Sequence, residues 1–279
     1  MTNGNWIKWL PEKGVIDSSY GRLIVYAEGF VRGFVDEMIK TGGPGLTMKF
    51  MKDMCASVNI DIPDKGEFHW DDFEAVLDKN IGHFEKVENL PSGFEKWDGS
   101  SRRLVLENGI PGKLWPLAMI RALMESAEMS LSERGARSII GHASWRAGRQ
   151  FGETLGAALG WDTRKKVYES VESIMSVYFR NLGWGHLKVK VDEANDLVAF
   201  IIKHAYEVEA RGKGSQLIIA RNQLEGVGDY LSSLEKLTSK SKEYSLEDRD
   251  DTKVIVIKLH KLGEDVDMDK EPWKKLVGV

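Results

Sequence analysis

Few side chains in this sequence could do chemistry, and three of them, His142, His186 and His204, fall in the C-terminal half. If the three converge, they would offer donors to a polar ligand head or axial ligands to a haem-like group. Taken singly, a histidine on an apolar face is ordinarily a hydrogen-bonded core residue. His69 and His83 are too far apart for one helical turn, and His260 ends an apolar stretch. Cys55 is the single cysteine and lies among Met51, Met54 and Val58 with no histidine beside it, so a buried core thiol is expected rather than a nucleophile. One cysteine also excludes an internal disulfide and a cysteine-based zinc or iron–sulfur site within one chain. The acidic sets Asp71-Asp72 and Asp248/Asp250/Asp251 lack the ligand alternation and central glycine of a calcium loop and are expected to be solvated. The sequence contains no phosphate-binding glycine loop, no dinucleotide fingerprint and no Gly-Xaa-Ser-Xaa-Gly elbow. With no acid, base or nucleophile pair in view, catalysis is the weaker reading, and neither a metal nor a cofactor is predicted.

The element that must position any such site runs from Gly141 to Gly160. Glycines at 148, 152, 156 and 160 recur every fourth residue, which lines them along one helix face. Each interior glycine costs roughly 1 kcal/mol against alanine, so close packing or a ligand must offset the penalty. Arg146, Arg149, Gln150 and Glu153 on the same segment exclude a membrane-embedded helix pair. Ser132 is the expected N-cap of this helix.

Around it, Trp6 to Trp9 predicts a short segment folded over an apolar surface. Helical spacing predicts helices over Tyr20 to Lys40, stopped by Gly42-Gly43-Pro44-Gly45, and over Leu46 to Val58. Ile60 to His69 suggests an extended piece and turn, and Trp70 to Glu88 a helix interrupted near Gly82. The turn-rich stretch from Leu90 to Gly109 marks a boundary between a mainly helical N-terminal module, residues 1–108, and a second domain, residues 109–279. In that domain the pattern predicts helices over Leu114 to Leu131 and from Asp162 or Thr163 to Leu182. A hairpin of Leu187 to Val191 with Leu197 to Lys203 follows, then a helix over Gln216 to Leu237. Extended segments at Ser239 to Tyr244 and Val254 to Ile257 flank a turn at Asp248 to Asp251. The expected fold class is α/β (α+β), an antiparallel sheet backed by helices, with a helical N-terminal module.

Four local features carry a resemblance over about residues 114–260. They are Glu133-Arg134-Gly135-Ala136-Arg137 leading to Gly148 and Gly152, Leu182-Gly183-Trp184-Gly185, His204-Ala205-Tyr206-Glu207-Val208, and Leu224-Glu225-Gly226. In this order they resemble the 4-vinyl reductase family, the hydrocarbon-binding domains of aromatic-sensing regulators, akin to the TRAPP subunits of vesicle tethering. The resemblance implies a pocket between the glycine-containing helices and the sheet. Two departures qualify it. Where many family members place zinc-binding cysteines, this chain has Leu217, Ser245 and Lys253, so no zinc is expected. Where the phenol sensors place a tryptophan, it has Ile202, which argues against a phenol.

The sequence therefore predicts non-catalytic binding of a hydrophobic or aromatic small molecule, in a sensory or carrier role. Leu123, Trp145, Tyr178, Trp184, Phe200 and Ile202 are the expected walls, with His142 or His204 as polar contact. A TRAPP-like assembly protein and a tetrapyrrole-processing or reductase-type enzyme are the rival readings. A homodimer is expected from the glycine face and the long apolar helices, and a sensor would need a protein partner. With net charge −4 and pI about 5.9, no basic field argues for nucleic acid. The lone cysteine and the absence of an opening apolar run suggest a cytoplasmic protein with no membrane span.

Overall fold

The computed structural model describes residues 5–62, 69–97, 99–106, 109, 111–212, 214–246 and 252–279. In chain order the N-terminal elements are β1 (Trp6–Leu10), β2 (Val15–Ser18), β3 (Leu23–Ala27), α1 (Glu28–Ala56), α2 (Trp70–Asn80), β4 (Lys86–Glu88), β5 (Phe94–Lys96), β6 (Arg103–Leu106) and β7 (Pro111–Pro116). Helices α3 (Leu117–Leu159) and α4 (Arg164–Asn181) follow, then β8 (His186–Asp192) and β9 (Leu197–Lys203). The chain ends with α5 (Tyr206–Arg211), α6 (Ile218–Ser233), β10 (Thr238–Ser245), β11 (Thr252–His260) and α7 (Trp273–Val277). It is an α+β fold whose sheets are backed by helices. It divides into two compact units, Met1–Ala143 with Asn181–Trp184, and Ser144–Arg180 with Gly185–Val279. The division falls inside α3.

The first unit holds a seven-stranded sheet in the order β4-β1-β2-β3-β7-β6-β5, antiparallel except for the β1–β4 pair. Residues 1–108 thus contain helices α1 and α2, as expected, together with strands β1 to β6, which the sequence reading did not foresee. The segment read as the start of a Tyr20–Lys40 helix is β3, and Leu114 and Trp115 belong to β7 rather than to the following helix. The cause is burial on both faces: Leu23 to Tyr26 are all buried, and such a strand is apolar without alternation, which mimics a helix stripe. Gly42-Gly43-Pro44-Gly45 breaks α1 into two helical stretches, as expected, although they follow one another without an intervening loop. Only Gly43 leaves helical geometry, at φ 80°, ψ 163°. Ser132, at φ 69°, interrupts α3, and its Oγ lies 3.5 Å from the Gly135 N–H, where an N-cap acceptor belongs.

Buried charge ties α2 to this sheet. Arg102 is fully buried, its Nε donates to Asp78 Oδ1 at 2.8 Å, and its guanidinium lies 4.9 Å from the Trp115 ring centroid. Lys113 pairs with Glu74 and stands 3.7 Å from both Asp78 and Glu28. Cys55, fully buried as expected, has its thiol pushed up to about 12 by burial, which keeps it protonated.

The second unit holds an antiparallel four-stranded sheet, β10-β11-β9-β8. The register assigns each residue to a face. Leu187, Val189 and Val191 stand opposite Ile202, Phe200 and Val198, which in turn stand opposite Lys253, Ile255 and Ile257. This is the face α6 covers, since a Cβ on Gly228 would meet Ile257 at 3.1 Å. The other face carries Leu197, Ala199, Ile201, Val254 and Val256 and is closed by Val266, Met268 and Trp273 from the C-terminal segment. Coverage on both faces explains why β9 and β11 are nearly continuous apolar runs. The turn expected at Asp248 to Asp251, with its acidic set, and most of the Ile60–His69 piece lie outside the described residues.

Candidate functional site

The glycine stripe of α3 is occupied by α6. A Cβ on Gly148 would lie 2.2 Å from Gln223 O, one on Gly152 3.3 Å from Val227 Cα, and one on Gly156 2.2 Å from the Tyr230 hydroxyl. Glycine is also required on the facing helix, where a Cβ on Gly226 would lie 2.1 Å from Trp145 O and 2.6 Å from Arg149 N. The backbones themselves are in contact, which offsets the helix propensity these glycines give up. Side chains tie the seam at its edges: Trp145 Nε1 donates to Asp229 Oδ2 at 2.6 Å, and Tyr230 donates to Trp161 O at 3.3 Å. Because this face is filled within one chain, it is not available to a second copy, and that motive for a homodimer falls away.

Among the described residues, one buried polar side chain of α6 and one of this stretch of α3 have no hydrogen-bond partner. Gln223 is 4% exposed and neither its Oε1 nor its Nε2 is satisfied; Ser144 is 0% exposed and its Oγ is likewise unsatisfied. The contacts Gly148–Gln223 and Gly152–Val227 advance together by four residues, so the helices run in the same sense. Ser144 lies one turn before Gly148 on α3.

The N-terminus of α6 is held by a second buried polar group. Glu207 is 0% exposed and accepts the Ile219 N–H at 2.9 Å and the Ala220 N–H at 2.6 Å. Burial raises its carboxyl to about 7, with the nearby Glu243 adding to the rise, against the opposing pull of those N–H groups. Glu243 takes the Leu217 N–H at 2.8 Å and faces Lys253 at 3.5 Å, and Lys253 donates to Ser245 Oγ at 2.9 Å. Leu217, Ser245 and Lys253, singled out above as replacements for cysteines, therefore meet in one cluster in which an ammonium, a carboxylate and a hydroxyl satisfy one another. Among the described residues no group of three or more His, Cys, Asp and Glu side chains is arranged to hold a metal.

The other residues expected to bind ligand are distributed as follows. Leu123, His142 and Trp184 lie in the first unit. Leu123 is buried, Trp184 donates to Val25 O at 2.8 Å, and His142 Nε2 stands 3.1 Å from Glu37 Oε1. Trp145, Tyr178, Phe200, Ile202 and His204 lie in the second unit. Phe200 and Ile202 share the α6-covered sheet face, Tyr178 packs edge-on against Phe151 at 6.0 Å, and His204 is exposed in left-handed backbone at φ 54°. His186 stands cross-strand from Lys203, one residue before His204. Gln223, Ser144 and Glu207 were missed as functional candidates. The available signal was a glutamine within the apolar stripe Ile219, Ala220, Leu224, Val227 and Leu231.

No protein-family model matches this chain, and no curated protein matches it. Among solved structures it is similar to an H-NOX protein from K. algicida, with a TM-score of 0.45 and 6% identity over 86% of this chain and 100% of that one. An H-NOX protein from S. oneidensis gives a TM-score of 0.41 and 8% identity over 83% and 98%. A trafficking protein particle complex subunit 3 from Naegleria fowleri gives 0.37 and 11% over 53% and 96%. No helix among the described residues is long and apolar enough to cross a membrane.

Proposed function

We propose that the second unit binds a neutral small molecule with an apolar body and one polar group, held at the α3–α6 seam by Gln223 and Ser144. The observation that carries this is the Gln223 amide, buried with neither its acceptor nor its donors satisfied. Each unsatisfied buried group costs about 1–3 kcal/mol, and native interiors seldom leave both ends of one amide unpaired without a ligand or bound water to complete them. A group that both donates and accepts is the natural complement to an amide and a hydroxyl. Phe200, Ile202 and Tyr178 are the proposed apolar walls, with Trp145 beside the seam and His204 as an outlying polar contact. Leu123, His142 and Trp184 are not needed for this reading. Binding without catalysis, in a sensory or carrier role, is the activity such a site supports.

Gln223→Leu tests the proposal, because leucine is of similar size and asks for no partner. The variant is expected to melt at or above the wild-type temperature, by about 1 kcal/mol of added stability, while losing ligand binding. The measurement is differential scanning fluorimetry of both proteins against a panel of neutral amides, lactams and their hydrocarbon analogues, with native mass spectrometry of the purified wild type. A variant less stable than wild type, together with no compound that shifts the wild type, would show that Gln223 serves the fold and not a ligand.

A further inference from the structure

Strand β8 is an edge of the second unit's sheet, paired on one side with β9. Its alternation sends Leu187 and Val189 to the covered face and His186, Lys188 and Lys190 to the other, where both lysines are exposed. Lys203, opposite His186 in the register, is exposed as well, and the charged form of His186 is disfavoured first by partial burial and then by Lys188, Lys203 and Arg180. The lysines at the opposite side of this sheet are all engaged: Lys242 with Asp269, Lys253 with Glu243, Lys258 with Glu271, and Lys240 with Val266 O. Lys188, Lys190 and Lys203 have no such partner among the described residues. In a chain of net charge −4, Lys188 and Lys190 on the edge strand and Lys203 on its neighbour thus form a cluster of cations without a carboxylate partner among the described residues.

We propose that β8 is a docking edge for an extended acidic segment of a partner protein, which adds as a further strand and places carboxylates at alternate positions against Lys188 and Lys190. The spacing selects this occupant. Residues two apart on a strand are roughly 6.5–7 Å apart, the interval at which alternate side chains of a paired strand repeat, so Asp or Glu at every second position meets each lysine in register. Main-chain hydrogen bonds to the open edge supply affinity, and the alternating charge supplies specificity and steering. Lysines are also placed on edge strands merely to block pairing, which is the competing role the experiment must separate.

The test uses the full chain and three fluorescent ten-residue peptides: one alternating Glu with Val, one of the same composition with its glutamates in a block, and the alternating peptide N-methylated at every second residue. Fluorescence anisotropy is expected to show binding of the alternating peptide that weakens at least about tenfold with Lys188→Glu/Lys190→Glu, weakens as salt rises, and is lost on N-methylation. Circular dichroism of the double variant checks that these exposed changes leave the fold intact. Equal binding of the blocked peptide, or no effect of charge reversal, overturns the proposal. Absence of binding of the alternating peptide also overturns it, and self-association of Lys188→Val/Lys190→Val in light scattering would then show that the lysines only protect the edge.

Discussion

Gly226→Ala is expected to destabilise the second unit by at least about 2 kcal/mol, although alanine is worth about 1 kcal/mol more than glycine in a helix interior. The added methyl would sit 2.1 Å from Trp145 O and 2.6 Å from Arg149 N, and both are main-chain atoms of another helix, so no rotamer change can make room. The helices must separate, and the Trp145–Asp229 bond beside the contact would stretch with them. Gly152→Leu should also lower the melting temperature, but by less per atom. Its first neighbours are the Tyr230 side chain and Val227 Cα at 3.2–3.3 Å, and the tyrosine ring can give. Gly45→Ala is the matched control, because its Cβ would meet nothing within 4 Å. There the propensity gain stands alone, and a small stabilisation of about 0.4–1 kcal/mol is expected. The series is read by thermal or urea unfolding. Gly226→Ala melting at or above wild type would mean that the α3–α6 backbone contact does not exist in solution.

Glu207→Ala is the second large effect, an expected loss of about 2–4 kcal/mol, because two N–H groups opening a buried helix would lose their acceptor. Glu207→Gln should cost less, since the amide keeps one accepting oxygen, and it separates geometry from charge. The carboxyl titrates near 7 in the fold against an ordinary value of 4.5, so the folded protein holds this proton more tightly than the unfolded chain. Its contribution is therefore fully present below pH 4.5 and is lost as pH rises through 7. Wild-type protein should melt higher at pH 5 than at pH 8 by an amount that Glu207→Gln removes. A difference between the two pH values that is the same in both proteins would assign the dependence to other groups.

Several parts of this architecture were legible from residues alone. The hairpin Leu187–Lys203 and the apolar strand around Val254 follow from periodicity, and the glycine spacing announced a close approach at the right helix. Cys55 was recognisable as a core thiol from its apolar neighbours. The strands of the first unit were not legible, because Leu23 to Tyr26 and Leu114 to Trp115 are buried on both faces and lose the alternation that marks a strand. The candidate site was less visible still. Gln223 stands in a helical stripe like any polar interruption, and Glu207 lies in a segment read for its family likeness rather than for its carboxylate.

What the sequence determined by itself is therefore the local and the one-dimensional: where chain direction changes, which faces are apolar, and that something must lie against glycines 148, 152 and 156. Only the tertiary structure decided what that something is. It is α6 of the same chain, whose own Gly226 completes the contact, and a contact between residues about 80 positions apart leaves no periodic trace. Tertiary packing likewise decided which polar side chains are left buried without partners and which lysines on the sheet are neutralised. Satisfaction of a hydrogen bond or a charge depends on the group facing it across space, and neither is a property of the residue that carries it.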